Sequence, residues 1–186
     1  MNTLLLEIGT EEIPAGYIVP ALEAMSATLS KKLTDARIAH GRLQIYGTPR
    51  RLAVTVEDVA TKQPSVKSAV IGPPAHIGFD ANGKPTMAGQ KFAEKVGVPP
   101  SKLKVKETPK GAYLTAEKSE RGLATQTLLK EILPAVILAT PFPKKMRWAG
   151  LDIEFARPIH TILALLGKSV VSFKLGNLKS GRCTHG

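Results

Sequence analysis

Leu4-Leu5-Leu6-Glu7-Ile8-Gly9-Thr10-Glu11-Glu12-Ile13-Pro14 decides how this chain is read, because an apolar strand runs directly into a turn rich in acids. Residues 3–8 read as a mostly buried strand, and Gly9 and Pro14 mark the turn that ends it. Beyond the turn Ile18, Leu22, Met25, Leu29 and Leu33 recur at helical spacing. They predict a helix over about 16–36, with Pro20 tolerated near its first turn. Residues 42–46 and 52–59 then read as strands, joined by the turn Gly47-Thr48-Pro49.

Further along, 61–74 turns polar and ends in Gly72-Pro73-Pro74, as an insertion would. Asp80-Ala81-Asn82-Gly83-Lys84 predicts a tight turn, 87–96 a short helix closed by Gly97, 103–106 an extended stretch and 111–118 a strand. A second long helix is expected over 123–139, with Leu128, Ile132, Val136 and Ala139 on one face and Pro134 kinking or interrupting it. Residues 145–148, 159–166 and 170–175 read as strands, the last two joined by a hairpin at Gly167-Lys168. The class is α+β, with mixed or antiparallel sheets and two longer helices. The expected organisation is a first unit of 1–60, a middle segment of 61–139 readable as an inserted small unit, and closing sheet strands in 140–186.

With 186 residues and 43% hydrophobic content the chain can bury roughly 70% of its unfolded surface, enough for one sizeable core or two small ones. Lys and Arg number 26 against 15 Asp and Glu, a formal net charge of +11, which favours a polyanionic partner. Nucleic acid leads and an anionic membrane surface follows, although the cations are spread along the chain. Cys183 is the only cysteine, so no intrachain disulfide can form and a reducing compartment, the cytoplasm, fits. Met1-Asn2-Thr3 lacks the basic start of a signal peptide, and no apolar run approaches the ~20 residues of a membrane span.

Several clusters carry candidate chemistry. Glu7, Glu11 and Glu12 can act as acid and base or hold a hard cation; they can equally complement the positive end of the following helix. In Thr48-Pro49-Arg50-Arg51 a rigid turn holds two guanidinium groups side by side, each able to grip phosphate through two nitrogens. Strand alternation should send the two to opposite faces, and a charged edge that discourages strand pairing is the competing explanation. Pro143-Lys144-Lys145-Met146-Arg147-Trp148 combines cations with an indole, suited to phosphate and base. Alternation would leave Trp148 with Met146 in the core and Lys145 with Arg147 outside. Arg157, in Arg157-Pro158-Ile159-His160, could pin Glu7 or Glu12, and His160 is more plainly a hydrogen-bonded structural histidine than a base. Cys183 and His185 are zinc-type ligands but fall short of the four that a structural site needs, so no metal is expected. Walker, GxGxxG, GxSxG and HExxH motifs are absent.

Taken with GPP…FDANGKPTMAGQKFA, KGAYL and the closing SGRCTHG, these blocks resemble, in order, the bacterial heterotetrameric glycyl-tRNA synthetase β subunit family. The family's β chain is several times longer, so the chain looks like its amino-terminal portion, cut where the family's Gly-His-Arg-Phe motif begins. The resemblance implies an α2β2 assembly that joins glycine to tRNA-Gly. ATP and Mg²⁺ would be used through the class II catalytic domain of the α subunit, and β would handle the tRNA. It implies no catalysis and no bound cofactor for this stretch alone, with the α subunit and tRNA-Gly as partners and neither membrane nor DNA among them. The family's pattern maps onto Arg50, Arg51, Lys144, Arg147, Arg157 and His160, is looser at Lys145, and offers no match for Cys183-Thr184. Arg50, Arg51, Lys144, Lys145, Arg147, Arg157 and Arg182 are therefore the expected tRNA-binding residues, converging in one cradle. The resemblance also implies a likeness to domains of the phenylalanyl-tRNA synthetase β subunit, including one that hydrolyses mischarged tRNA. That makes an editing-type hydrolase the alternative function.

Overall fold

A computed structural model describes residues 2–80, 82–109, 111–150 and 152–184. The chain divides into two compact units, one formed by 1–64 with 123–186 and the other by 65–122.

In the first unit the opening strand β1 (Asn2–Thr10) is central. It pairs antiparallel with β3 (Arg51–Val59) on one side and β9 (Ile159–Leu166) on the other. With β2 (Leu43–Thr48) and the two-residue β10 (Ser169–Val170) it forms a five-stranded sheet of order β10-β9-β1-β3-β2. Because side chains alternate, Leu4, Leu6 and Ile8 face one side and are fully buried. Leu52, Val54 and Val56 join them, as do Met25, Leu29 and Leu33 of α1 (Ala15–Asp35). The helix spacing read from the sequence is this buried stripe. Pro20 sits beyond the first turn without breaking α1; the carbonyl it leaves without an amide donor is that of Gly16, and both residues are exposed to water.

The second long helix, α4 (Thr125–Ala139), packs on α1 and so belongs to the first unit, not to the middle segment with which the sequence groups it. Its buried face is Thr125, Leu129, Leu133, Val136 and Ile137. This corrects the expected stripe: Leu128 and Ile132 lie only partly buried at its margin, and Ala139 is exposed. The helix runs uninterrupted through Pro134, because the carbonyl deprived of its donor, that of Lys130, lies on the exposed side.

Of the three closing strands expected, 159–166 forms as read in β9 and the other two are shorter. Residues 145–148 contribute only β7 (Met146–Arg147), paired with β8 (Glu154–Phe155). The stretch 170–175 is broken after β10 because the Ser180 hydroxyl, buried, accepts from Phe173 N at 2.8 Å and donates to Val171 O at 2.7 Å. A small hairpin follows, β11 (Lys174–Leu175) with β12 (Leu178–Lys179).

In the second unit β4 (Val66–Pro74), β6 (Gly111–Glu120) and β5 (Lys104–Thr108) form an antiparallel sheet of order β4-β6-β5. The polar stretch 61–74, read from sequence as an insertion with no strand assigned, carries β4: Val66 to Ile71 ladder onto β6. One sheet face is covered by α2 (Ala75–Gly78) and α3 (Met87–Val96), with Phe92, Ala93 and Val96 packed on Leu114, Ala116 and Leu103. The Thr86 hydroxyl accepts from Gly89 N at the start of α3, and Gly97 ends it in the left-handed conformation, φ 76°. In the expected turn 80–84, whose Ala81 lies outside the described residues, Gly83 has φ 74° and the Asp80 carboxylate accepts from Asn82 N and Lys84 N. A short 3₁₀ turn (Pro100–Lys102) leads into β5.

Candidate functional site

The acidic turn after β1 is clamped by main-chain bonds from two other sequence blocks. Thr10 N donates to Arg50 O at 2.9 Å, Ile13 N to Pro49 O at 2.7 Å and Glu11 N to Pro158 O at 3.1 Å. The turn therefore sits between Thr48-Pro49-Arg50 and Arg157-Pro158-Ile159. The fourth block joins them: a concavity beside the turn is lined by Pro14, Tyr17, Lys144, Lys145, Met146, Ala156 and Arg157. A second hollow next to it is lined by Glu11, Glu12, Met146, Arg157 and Pro158. Stretches separated by up to 145 residues in the chain thus build one corner.

Within it, Arg157 Nε donates to the main-chain oxygen of Glu12 at 3.0 Å. Glu12 does meet Arg157, as the sequence allows, but through its backbone. The Glu12 carboxylate instead pairs with Arg50, Nη2 to Oε1 3.1 Å, with both side chains about 70% exposed (70% and 69%). Such a pair contributes only some tenths of a kcal/mol, roughly up to 1 kcal/mol, so a phosphate can compete for Arg50 at little cost. His160 Nε2 lies 3.0 Å from Glu11 Oε1, both exposed. Lys144 and Lys145 have no hydrogen-bond or ion-pair partner among the described residues. The expected service of the acids to a helix dipole is not what they do. The first turn of α1 holds no acid, its cap is Pro14 without a side-chain bond, and Glu11 and Glu12 are engaged with His160 and Arg50.

The cradle of seven cations expected from the sequence is only partly assembled. Arg50, Lys144, Lys145 and Arg157 share the corner. Arg51 does not: it leaves the turn on the other face of the sheet, as alternation requires, with Nε 3.4 Å from Glu7 Oε1. There it lines a separate hollow with Leu5, Tyr46, Thr48 and Ala53, and the Thr184 hydroxyl donates to Glu7. Arg147 is turned to Glu154, 3.0 Å, and Asp152, 4.0 Å. Arg182 donates to Lys168 O at 2.8 Å beside β9. Trp148 packs partly buried against the core, while Met146, 38% exposed, is outside it and belongs to the corner. Sequence reasoning missed Tyr17, whose only signal is its place one helical turn after Pro14. Cys183 is exposed and His185 lies outside the described residues; among those described, no three His, Cys, Asp or Glu side chains group as metal ligands. No described helix is long and apolar enough to cross a membrane.

An exposed corner with four cations against two carboxylates, tethered to a rigid sheet by backbone bonds, can bind an extended anion. Residues 4–186 match the family model described as glycyl-tRNA synthetase beta subunit. The chain is similar to the glycine–tRNA ligase beta subunits of Desulforapulum autotrophicum (52% identical) and Desulfatibacillum aliphaticivorans (53%). In both cases 100% of this chain aligns with 27% of the relative. That of Myxococcus xanthus is 44% identical over 183 residues, 98% of this chain and 26% of the relative. The chain therefore spans about a quarter of the length of the curated relatives it matches.

Proposed function

This chain belongs to the glycyl-tRNA synthetase beta subunit family, and on that footing we propose that it is the tRNA-binding and assembly part of a glycine–tRNA ligase, with the Glu11–Pro14 corner as its phosphate grip. The observation that carries the reading is the convergence of Arg50, Lys144, Lys145 and Arg157 on that corner from three distant blocks. Lys144 and Lys145 bring mobile charge on long stems; Arg157, held by its Nε, brings oriented nitrogens. Aminoacylation itself we assign to an α subunit using ATP and Mg²⁺, in the cytoplasm, as the family resemblance implies. In the complete assembly with the α subunit, Lys144→Ala/Lys145→Ala should raise KM for tRNA-Gly about tenfold or more and leave kcat unchanged, the pattern of lost uniform binding. An unchanged KM counts against the grip.

One observation favours the second reading, an editing-type hydrolase. His160 and Glu11 form a close histidine–carboxylate pair at the edge of the same corner, an arrangement that can orient a base toward water. Deacylation of mischarged tRNA-Gly, abolished by His160→Ala, would establish it; a rate equal to that of buffer removes it.

A further inference from the structure

We propose that the uncovered face of the β4-β6-β5 sheet is a second nucleic-acid site, one that takes single-stranded RNA by stacking an unpaired base on Tyr113 between flanking lysines. This goes beyond the corner described above and uses a different set of residues, all in the second unit. Leu114 and Ala116 point to the covered face, so alternation along β6 puts Tyr113, Thr115, Glu117 and Ser119 on the other. The register then fixes their neighbours. Lys106 is directly opposite Tyr113, Lys104 and Ile71 flank Thr115, and Lys67 is opposite Ser119. Side chains so paired have Cβ atoms about 5 Å apart.

Tyr113 is half-buried on the central strand and forms an open apolar hollow with Ile71, Thr108 and Pro109; Ile71 is 59% exposed. An exposed isoleucine beside a half-buried tyrosine ring suits an apolar, flat partner. The surrounding charge says what else that partner carries: Lys67, Lys104 and Lys106 stand against one acid, Glu117, which Lys104 already meets at 3.5 Å. Lys67 and Lys106 have no partner among the described residues. A flat apolar group joined to anionic charge at the spacing of neighbouring strands describes a base with its phosphates. A ring platform with lysines at its sides is how single strands are held without sequence preference. A duplex hides its bases and cannot use the ring.

The test is fluorescence anisotropy of a short labelled oligouridylate with the intact chain, joined to ultraviolet cross-linking mapped by mass spectrometry. Cross-linking to Tyr113 is expected. Tyr113→Phe should retain affinity, and Tyr113→Leu, which keeps an apolar side chain in the strand, should weaken it about tenfold. Lys104→Gln/Lys106→Gln, on exposed positions that leave the core intact, should reduce the salt slope by about 1.4, the single-strand value for two phosphates. Affinity unchanged in Tyr113→Leu, an unchanged slope in the lysine pair, equal affinity for a hairpin duplex, or displacement by an acidic aromatic peptide in preference to RNA would each overturn the proposal. Lys144→Ala/Lys145→Ala separates the two sites. The Tyr113 cross-link persists in that variant if this face binds on its own, and its disappearance there refutes an independent site.

Discussion

The first unit traps its opening strand between two neighbours and beneath helices, whereas the second rests its only described core on Phe92, Ala93, Val96, Leu103, Leu114 and Ala116. Buried apolar area is what offsets chain entropy, so the two differ in how firmly they can hold a side chain in place. The corner in the first unit is tied to a deep core by Thr10, Glu11 and Ile13 amides and can position charges against a defined anion. The second unit offers a ring and flexible lysines on a thin sheet, an arrangement suited to ligands that adapt. Local openings should start there.

That contrast can be broken by truncating each core. Phe92→Ala should cost about 4 kcal/mol and, since few other side chains hold the second unit, abolish amide protection in β4 to β6 while β1 and β9 stay protected. Hydrogen exchange decides; simultaneous loss in both units would erase the distinction. Leu29→Ala, in a fully buried position of α1, should cost about 3 kcal/mol by denaturant titration but leave the rest of the larger core to fold around the cavity. At Gly97, where φ is 76° and a Cβ meets nothing within 4 Å, alanine should cost about 1 kcal/mol from backbone strain alone, read as a lower melting point of the second unit. Arg147→Ala should change stability by less than about 0.5 kcal/mol, because its pairs with Glu154 and Asp152 are largely exposed.

The same contrast explains what could be read from sequence. Amphipathic stripes over a deep core are strong signals: α1 was legible residue by residue through Leu22, Met25, Leu29 and Leu33, and β1 as a buried strand, though not in which of its residues, Leu4, Leu6 and Ile8, face the core. The helix α3 was legible to its last residue, since Gly97 and the prolines after it act locally. β4 was not, because Lys67, Ser68 and Gly72 mask an alternation that only pairing with β6 and packing of Gly72 beneath Phe92 make strand-like. The stripe on α4 slipped by one residue because apolar residues nearly surround that helix and several faces compete. At the site, types of residue were legible and partners were not. Alternation separated Arg50 from Arg51 in advance, but nothing local says that Arg147 turns to Glu154, seven residues on, or that the main-chain oxygen of Glu12 receives Arg157.

If the four cations at the Glu11–Pro14 corner neutralise tRNA phosphates as proposed, the salt dependence of affinity measures that number directly. Titrating tRNA-Gly against the chain between 50 and 200 mM salt, four contacts predict a fall of about a hundredfold. In Lys144→Ala/Lys145→Ala the logarithmic slope should shrink by about two. A slope near zero, or one that the double substitution leaves untouched, contradicts the account.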